Sequence, residues 1–168
     1  MLTDPAAPAQ DLLAALIARY EQDDVPAGHK LPARRYLGHG QPGTIAADED
    51  DPRAPKGSLM VALVRVDTAI AAQQSSHIGA TATSSAVLQL RLMRPVVTFG
   101  VGGAPPTAAK VTADAAVLAA DAVRIVDTLH AWTEALPNLF RVSWTAVDAI
   151  SPAGLLAGNR VTTTIGPL

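Results

Sequence analysis

Three stretches of the chain carry residue types with chemical potential. Gly100, Gly102 and Gly103 sit between an alternating apolar pattern and a long helical one. Glycines in that setting let a backbone cradle phosphate at a helix N-terminus. The dinucleotide fingerprint G-x-G-x-x-G would need a third glycine where Pro105 stands, and no Gly-Lys-Ser/Thr follows as in a P-loop. Pro105 and Pro106 also remove two of the N–H donors that such a cradle uses. The preceding strand belongs to an antiparallel pattern, so no parallel βαβ crevice is expected beside it. The cluster reads as a hinge.

The acidic run Asp48-Glu49-Asp50-Asp51 offers hard oxygen ligands for Ca²⁺, but Pro52 follows it, and a glycine turn with a distal Glu at EF-hand spacing is missing. It reads as a solvated loop. His29, His39, His77 and His130 form no i, i+4 pair, so no metal site is encoded locally. Ser75-Ser76-His77 places a hydroxyl next to a base, yet adjacent residues rarely face each other and no G-x-S-x-G elbow is present. Arg34 and Arg35 with Tyr36 suit a phosphate or a base. With 13 Lys and Arg in the whole chain and no further aromatic interleaving, a nucleic-acid groove is not expected. The residues present no catalytic constellation, and no cofactor is expected.

What elements would position these groups? A length of 168 residues suits one domain with a real core. Hydrophobic residues reach 49% but aromatics only 4%, so that core must come from small aliphatic side chains. A net charge of −2 and a pI near 6.0 exclude broad attraction to nucleic acid or anionic membrane. With no cysteine, disulfides, thiolate metal sites and Cys nucleophiles are excluded. The stretch MLTDPAAPAQDLL has no basic region leading into an apolar one, so no signal peptide is expected. Every apolar run breaks before the roughly 18 residues of a membrane helix, and a soluble protein with no membrane partner is expected.

Leu12, Leu13, Leu16, Ile17 and Tyr20 recur at helical spacing and predict a first helix that fades at Asp23-Asp24. Residues 33–37 read as a short strand, 38–57 as a long loop, and SLMVALVRVD (58–67) as a central strand. A second long connection over 68–84 leads to AVLQLRLMRP, where Leu88, Leu90 and Leu92 alternate with Gln89 and Arg91 until Pro95 ends the ladder. Val111, Ala115, Leu118, Ala122, Ile125, Leu129, Trp132 and Leu136 step in threes and fours and predict a second helix packed across a sheet. Thr112 is its expected N-cap, Pro137-Asn138 its stop, and Asp114, Asp121, Arg124, Asp127 and Glu134 its outer surface. Two strands follow, with Val142, Trp144 and Ala146 on one face of the first and Val161, Thr163 and Ile165 on one face of the second. Ser151-Pro152-Ala153-Gly154 begins the turn between them. Leu118, Ile125, Leu129, Leu90 and Trp144 are expected in the core. The order α-β-β-β-α-β-β with hairpin-like links predicts an α+β domain: a mostly antiparallel sheet of about five strands with two helices on one face.

This element order, the closing GLLAGNRVTTTI (154–165) and the stretch LQLRLMRPV…AADAVRIVDTLHAW resemble phage tail terminators, particularly those of actinobacterial phages. These are small proteins that cap the tail tube of long-tailed phages and join it to the head connector. The resemblance implies a structural virion protein in the tail or neck, assembled in the host cytoplasm. It implies a homo-oligomeric ring, a hexamer, with no enzymatic activity and no cofactor. Its implied partners are the tail tube protein and a head–tail connector or stopper protein, with DNA only as cargo passing through the bore. No catalytic or metal-binding residue is carried over. The contacts with neighbouring proteins are expected in the two long loops, at Asp48, Glu49, Asp50, Asp51, Arg53, Gln73, Gln74 and His77, and the acidic run is a candidate lining of the bore. Two other readings are a small-molecule-binding or enzymatic α+β domain using a cleft near residues 100–107, and a connector stopper.

Overall fold

The computed structural model describes residues 6–22, 25–26, 29–40, 56–71, 81–98, 103–137, 140–153 and 155–167. Helix α1 (Ala7–Gln22) starts the chain, followed by strands β1 (Arg35–His39), β2 (Ser58–Ala71) and β3 (Thr81–Pro95). Helix α2 (Ala108–Ala135) leads to strands β4 (Phe140–Ala153) and β5 (Leu156–Pro167). The five strands form one sheet in the order β1-β2-β3-β5-β4. It is mixed and mostly antiparallel, which gives the α+β class expected from the sequence.

Alternation decides which face is buried. Leu59, Val61 and Leu63 of β2, Leu88, Leu90 and Leu92 of β3, and Val161 and Ile165 of β5 join one cluster with Leu12, Leu16 and Tyr20 of α1 and Ile125, Leu129 and Trp132 of α2. Period-two positions on the strands and three-four steps on the helices thus meet in a single layer. Both helices lie on that face, α1 over β2 and α2 over β5 and β4. Ile125, Leu129 and Leu90 are fully buried as expected, whereas Leu118 and Trp144 are only half-buried.

Several sequence expectations are corrected. The link from β1 to β2 is not a hairpin, because Arg35–His39 pairs with Leu59–Leu63 in parallel. β1 runs to His39, past the loop's predicted start at residue 38, and residues 41–55 of that expected loop lie outside the described residues. The long connection expected over 68–84 is strand at both of its ends, where β2 and β3 stay paired out to Ala71↔Thr81, since alternating Thr and Ala suit a pleated ladder as well as a loop; residues 72–80 lie outside the described residues. β3 and β4 run parallel with β5 between them, both antiparallel to it, so a split βαβ unit exists where none was expected. β5 fills the slot, and no open crevice is left between the parallel pair.

The N-cap of the second helix lies five residues before the expected one. Thr107, not Thr112, is the N-cap, its hydroxyl accepting from the Lys110 N–H. Its N-terminal half carries no buried residue before Asp121, so Val111 and Ala115, read as core positions, are exposed. In β4 the register shifts between Trp144 and Val147. That bulge hands the helix-facing position from Ala146, which is exposed, to Val147, which packs on the core.

Two glycines answer to close approach. A Cβ on Gly158 would fall 2.0 Å from the Leu92 carbonyl oxygen, and Gly57 takes φ +74° with its missing Cβ aimed 2.5 Å from the Met93 oxygen. Gly158→Ala should therefore lower the melting temperature, because backbone has to move. Ile125→Ala should cost about 2–5 kcal/mol in denaturant unfolding, while Val123→Ala, at a site 61% exposed, should stay within about 0.5 kcal/mol. Equal effects at the two positions would contradict the packing of α2 on the sheet.

Candidate functional site

The partner-contacting residues expected from the sequence, Asp48, Glu49, Asp50, Asp51, Arg53, Gln73, Gln74 and His77, lie outside the described residues. What the structure does assemble is a buried polar network that sequence reasoning missed. Asp121, placed on the outer surface of the second helix by its spacing, is fully buried. Its carboxylate takes the Arg94 guanidinium, through Nε on one oxygen and NH2 on the other at 2.9 Å. It also accepts from the Tyr20 hydroxyl at 2.5 Å.

Arg94 does more than neutralise Asp121. Its NH1 donates to the Lys30 carbonyl at 2.7 Å and its NH2 to the His29 carbonyl at 2.8 Å. One side chain at the end of β3 therefore holds α2, α1 through Tyr20, and the segment that leads into β1. Burial works against the Arg94 charge, but Asp121 outweighs it and holds the guanidinium's pKa above its ordinary value. Burial, reinforced by the bond to Asp121, raises the pKa of the Tyr20 phenol. Arg124 lies over the Tyr20 ring at 5.3 Å, and Arg19 pairs with Asp127 at 3.5 Å, so the α1–α2 seam is polar where it leaves the core.

The segment pinned by Arg94 separates two clefts. One, of about 410 Å³, lies against α1 and is lined by Ile17, Tyr20, Glu21 and Val25 with Lys30, Leu31 and Arg35. The other, of about 610 Å³, lies against the N-terminal half of α2, where Lys30, Lys56 and Lys110 face a single carboxylate, Asp114. Asp114 bonds Lys110 Nζ at 2.6 Å and the Val97 N–H at 3.0 Å. Its partial burial would raise its pKa, and those two donors more than offset it, holding the carboxyl below its usual value. This cleft suits an anion better than a cation. No serine, threonine or cysteine lines either cleft among the described residues, and residues 103–107 line neither. The larger cleft is instead lined from either side of the 100–107 stretch, by Pro95 and Val96 before it and Lys110 after it.

Of the histidines, His29 lines the larger cleft, His39 is exposed on β1, and His130 meets Trp144 edge-on with ring centroids 5.2 Å apart. No group of three His, Cys, Asp or Glu that could hold a metal ion occurs among the described residues. No helix among them is long and apolar enough to cross a membrane. No protein family matches the chain, and no curated protein matches it in sequence.

Sequence alone offers a weak signal for the network: an Asp whose helical position falls between Leu118 and Ile125, flanked by apolar residues. Removing one partner of a buried pair strands the other, so Arg94→Met should destabilise by about 3–5 kcal/mol. Tyr20→Phe should cost about 1 kcal/mol. The raised Tyr20 pKa also sets a sign. Its stabilisation is complete below pH 10.0, the ordinary tyrosine value, and is lost as pH climbs through the folded value. Stability of Tyr20→Phe should therefore fall less steeply above pH 10.0 than that of the unaltered protein, measured by denaturant unfolding.

Proposed function

We propose that this chain is a ring-forming adaptor of the tail-terminator type, which caps the tail tube of a long-tailed phage and joins it to the head connector. The observation that carries the reading is the element order α-β-β-β-α-β-β around one sheet, with both helices on the same side. The resemblance in sequence implies helices packed on a sheet in such an order. In this role the protein works through surfaces, as a homohexamer in the virion tail, with DNA as passing cargo and the tail tube and connector proteins as neighbours.

The surfaces support a choice of subunit contact. β1 and β4 are the two edges of the sheet. β4 is fourteen residues long, but its pairing with β5 shifts register at Trp144/Val147 and Ile150/Ala153, and Pro152 within the second shift has no N–H to offer a further strand, the usual means of preventing open-ended strand pairing. The flank of α2 is better suited. Val111, Ala115 and Val123 are exposed at helical spacing, and a repeated head-to-tail contact made there closes a ring.

Light scattering across a concentration series, with and without the tail tube protein, tests the reading. A closed oligomer that binds the tube is expected, and Val123→Arg with Val111→Arg should shift it toward monomer. A strict monomer that ignores the tube would defeat the reading.

A further inference from the structure

The face of the sheet opposite the helices carries an arrangement that the fold itself does not need. Register places Arg91 of β3 directly across from Arg160 of β5. Like charges in that relation repel and weaken a strand pair. The cross-strand row continues through Met60 on one side and Asp148 on the other. Arg65 and Asp67 of β2 and Arg141 of β4 point to the same face, by their pairing with Val87, Ser85 and Gly166.

The charges on this face do not cancel. Asp67 holds Arg65 at 2.9 Å and Asp148 meets Arg160 at 3.4 Å. Arg91 bonds only the Gln89 side-chain oxygen, at 2.9 Å, and among the described residues neither Arg91 nor Arg141 meets a carboxylate. Four arginines against two aspartates leave two positive charges in excess, on a chain whose net charge is −2. The Arg160 charge also works on Arg91: burial first, then this repulsion, lower the Arg91 pKa from its ordinary value.

The other residues on the face indicate which kind of partner would accept those charges. Tyr36, 39% exposed, covers the buried Met60 across β1 and β2, and half-buried Met93 lies two residues along β3 from Arg91 on the same face. Arginine, methionine and tyrosine are the types enriched in protein–protein contacts, while lysine, depleted there, is absent from this face. Nucleic-acid binding draws its strength from many phosphate contacts and a broadly positive field. An excess of two charges on a chain that is negative overall supplies neither.

We infer that the arginine-bearing part of the sheet face opposite the helices is a docking surface for a partner protein presenting clustered carboxylates, with Arg91 and Arg160 together clamping the carboxylates at its centre. Partner carboxylates between the two guanidiniums would turn a repulsion into two charge-assisted bonds. The inference stands independently of the ring reading.

Fluorescence anisotropy with a labelled poly-glutamate peptide, and with a DNA duplex of equal charge, tests it on the full chain. The peptide should bind more tightly than the duplex, more weakly as salt rises, and about tenfold or more weakly to the Arg91→Gln/Arg160→Gln double variant. The Lys30→Gln/Lys56→Gln variant, altered in the cleft on α2's side, should bind as the unaltered protein does. No binding at low salt, a preference for the duplex, or loss of binding in the lysine variant instead would overturn the inference. A second readout needs no ligand: Arg91→Gln relieves the repulsion, so its melting temperature should equal or exceed that of the unaltered protein. A clear drop would make Arg91 a structural residue and overturn the inference as well.

Discussion

The ion pair between Arg94 and Asp121 is the contact on which the arrangement of this protein depends. A carboxylate in the core is costly unless every oxygen finds a donor. Asp121 meets that condition with an arginine from the end of β3 and a tyrosine from α1, 27 and 101 residues away in sequence. Its geometry requires α2 to cross the end of β3 at one height, and requires Tyr20 of α1 to come alongside. An apolar contact would tolerate sliding of the helices on the flat Leu-Val-Ile layer beneath them, whereas bonds of fixed direction do not. Arg94 extends the constraint to backbone by holding the carbonyls of His29 and Lys30. That contact places the wall shared by the two clefts.

The apolar layer supplies the bulk of the cohesion and the polar network its register. Leu59, Leu88, Leu90 and Leu92 with Ile125 and Leu129 are fully buried, and each counts for the area it removes from water. A second polar link, the Asn159 amide donating to the Leu118 carbonyl at 2.8 Å, fastens β5 to α2 part-way along the helix. Beyond that point the helix runs on toward its N-terminus with exposed small residues. Cohesion thus concentrates at one end of α2, and the other end is free to serve as surface.

How much of this was legible in the sequence follows from the range of each signal. Local periodicity placed both helices and the strands from 58, 86, 140 and 159 onward, because the side-chain pattern along an element reports its own buried face. Leu88, Leu90 and Leu92 needed no other information. The parallel pairing of β1 could not be read the same way, since a five-residue strand carries no mark of its neighbour's direction. The β4 bulge was hidden for a similar reason: Val142, Trp144 and Ala146 alternate perfectly, and only the partner strand shows that Ala146 leaves the pattern. Asp121 was misplaced because charge was taken as evidence for solvent, when its acceptor oxygens were committed to residues 27 and 101 positions away. The earlier start of α2 followed from two threonines, Thr107 and Thr112, with equal intrinsic merit as caps. At the site, the stretches rich in acid and amide lie outside the described residues, and the surfaces that can be argued from structure, the Arg91–Arg160 face and the α2 flank, arise from register and exposure that no motif encodes.

The position of β5 sets the order in which this molecule can be built. It follows β3 and β4 in sequence, yet it lies between them, with Val161, Thr163 and Ile165 buried beneath α2 and its neighbours. Until β5 pairs, β3 presents an open edge with Leu88, Leu90 and Leu92 beside it. β4 has no partner during that interval. A nascent chain in this condition exposes two long unsatisfied ladders, the form most prone to pair with another copy. Closure then comes as one late event in which a single strand fills the gap and seals both edges. β4 therefore joins the rest of the sheet through β5 alone.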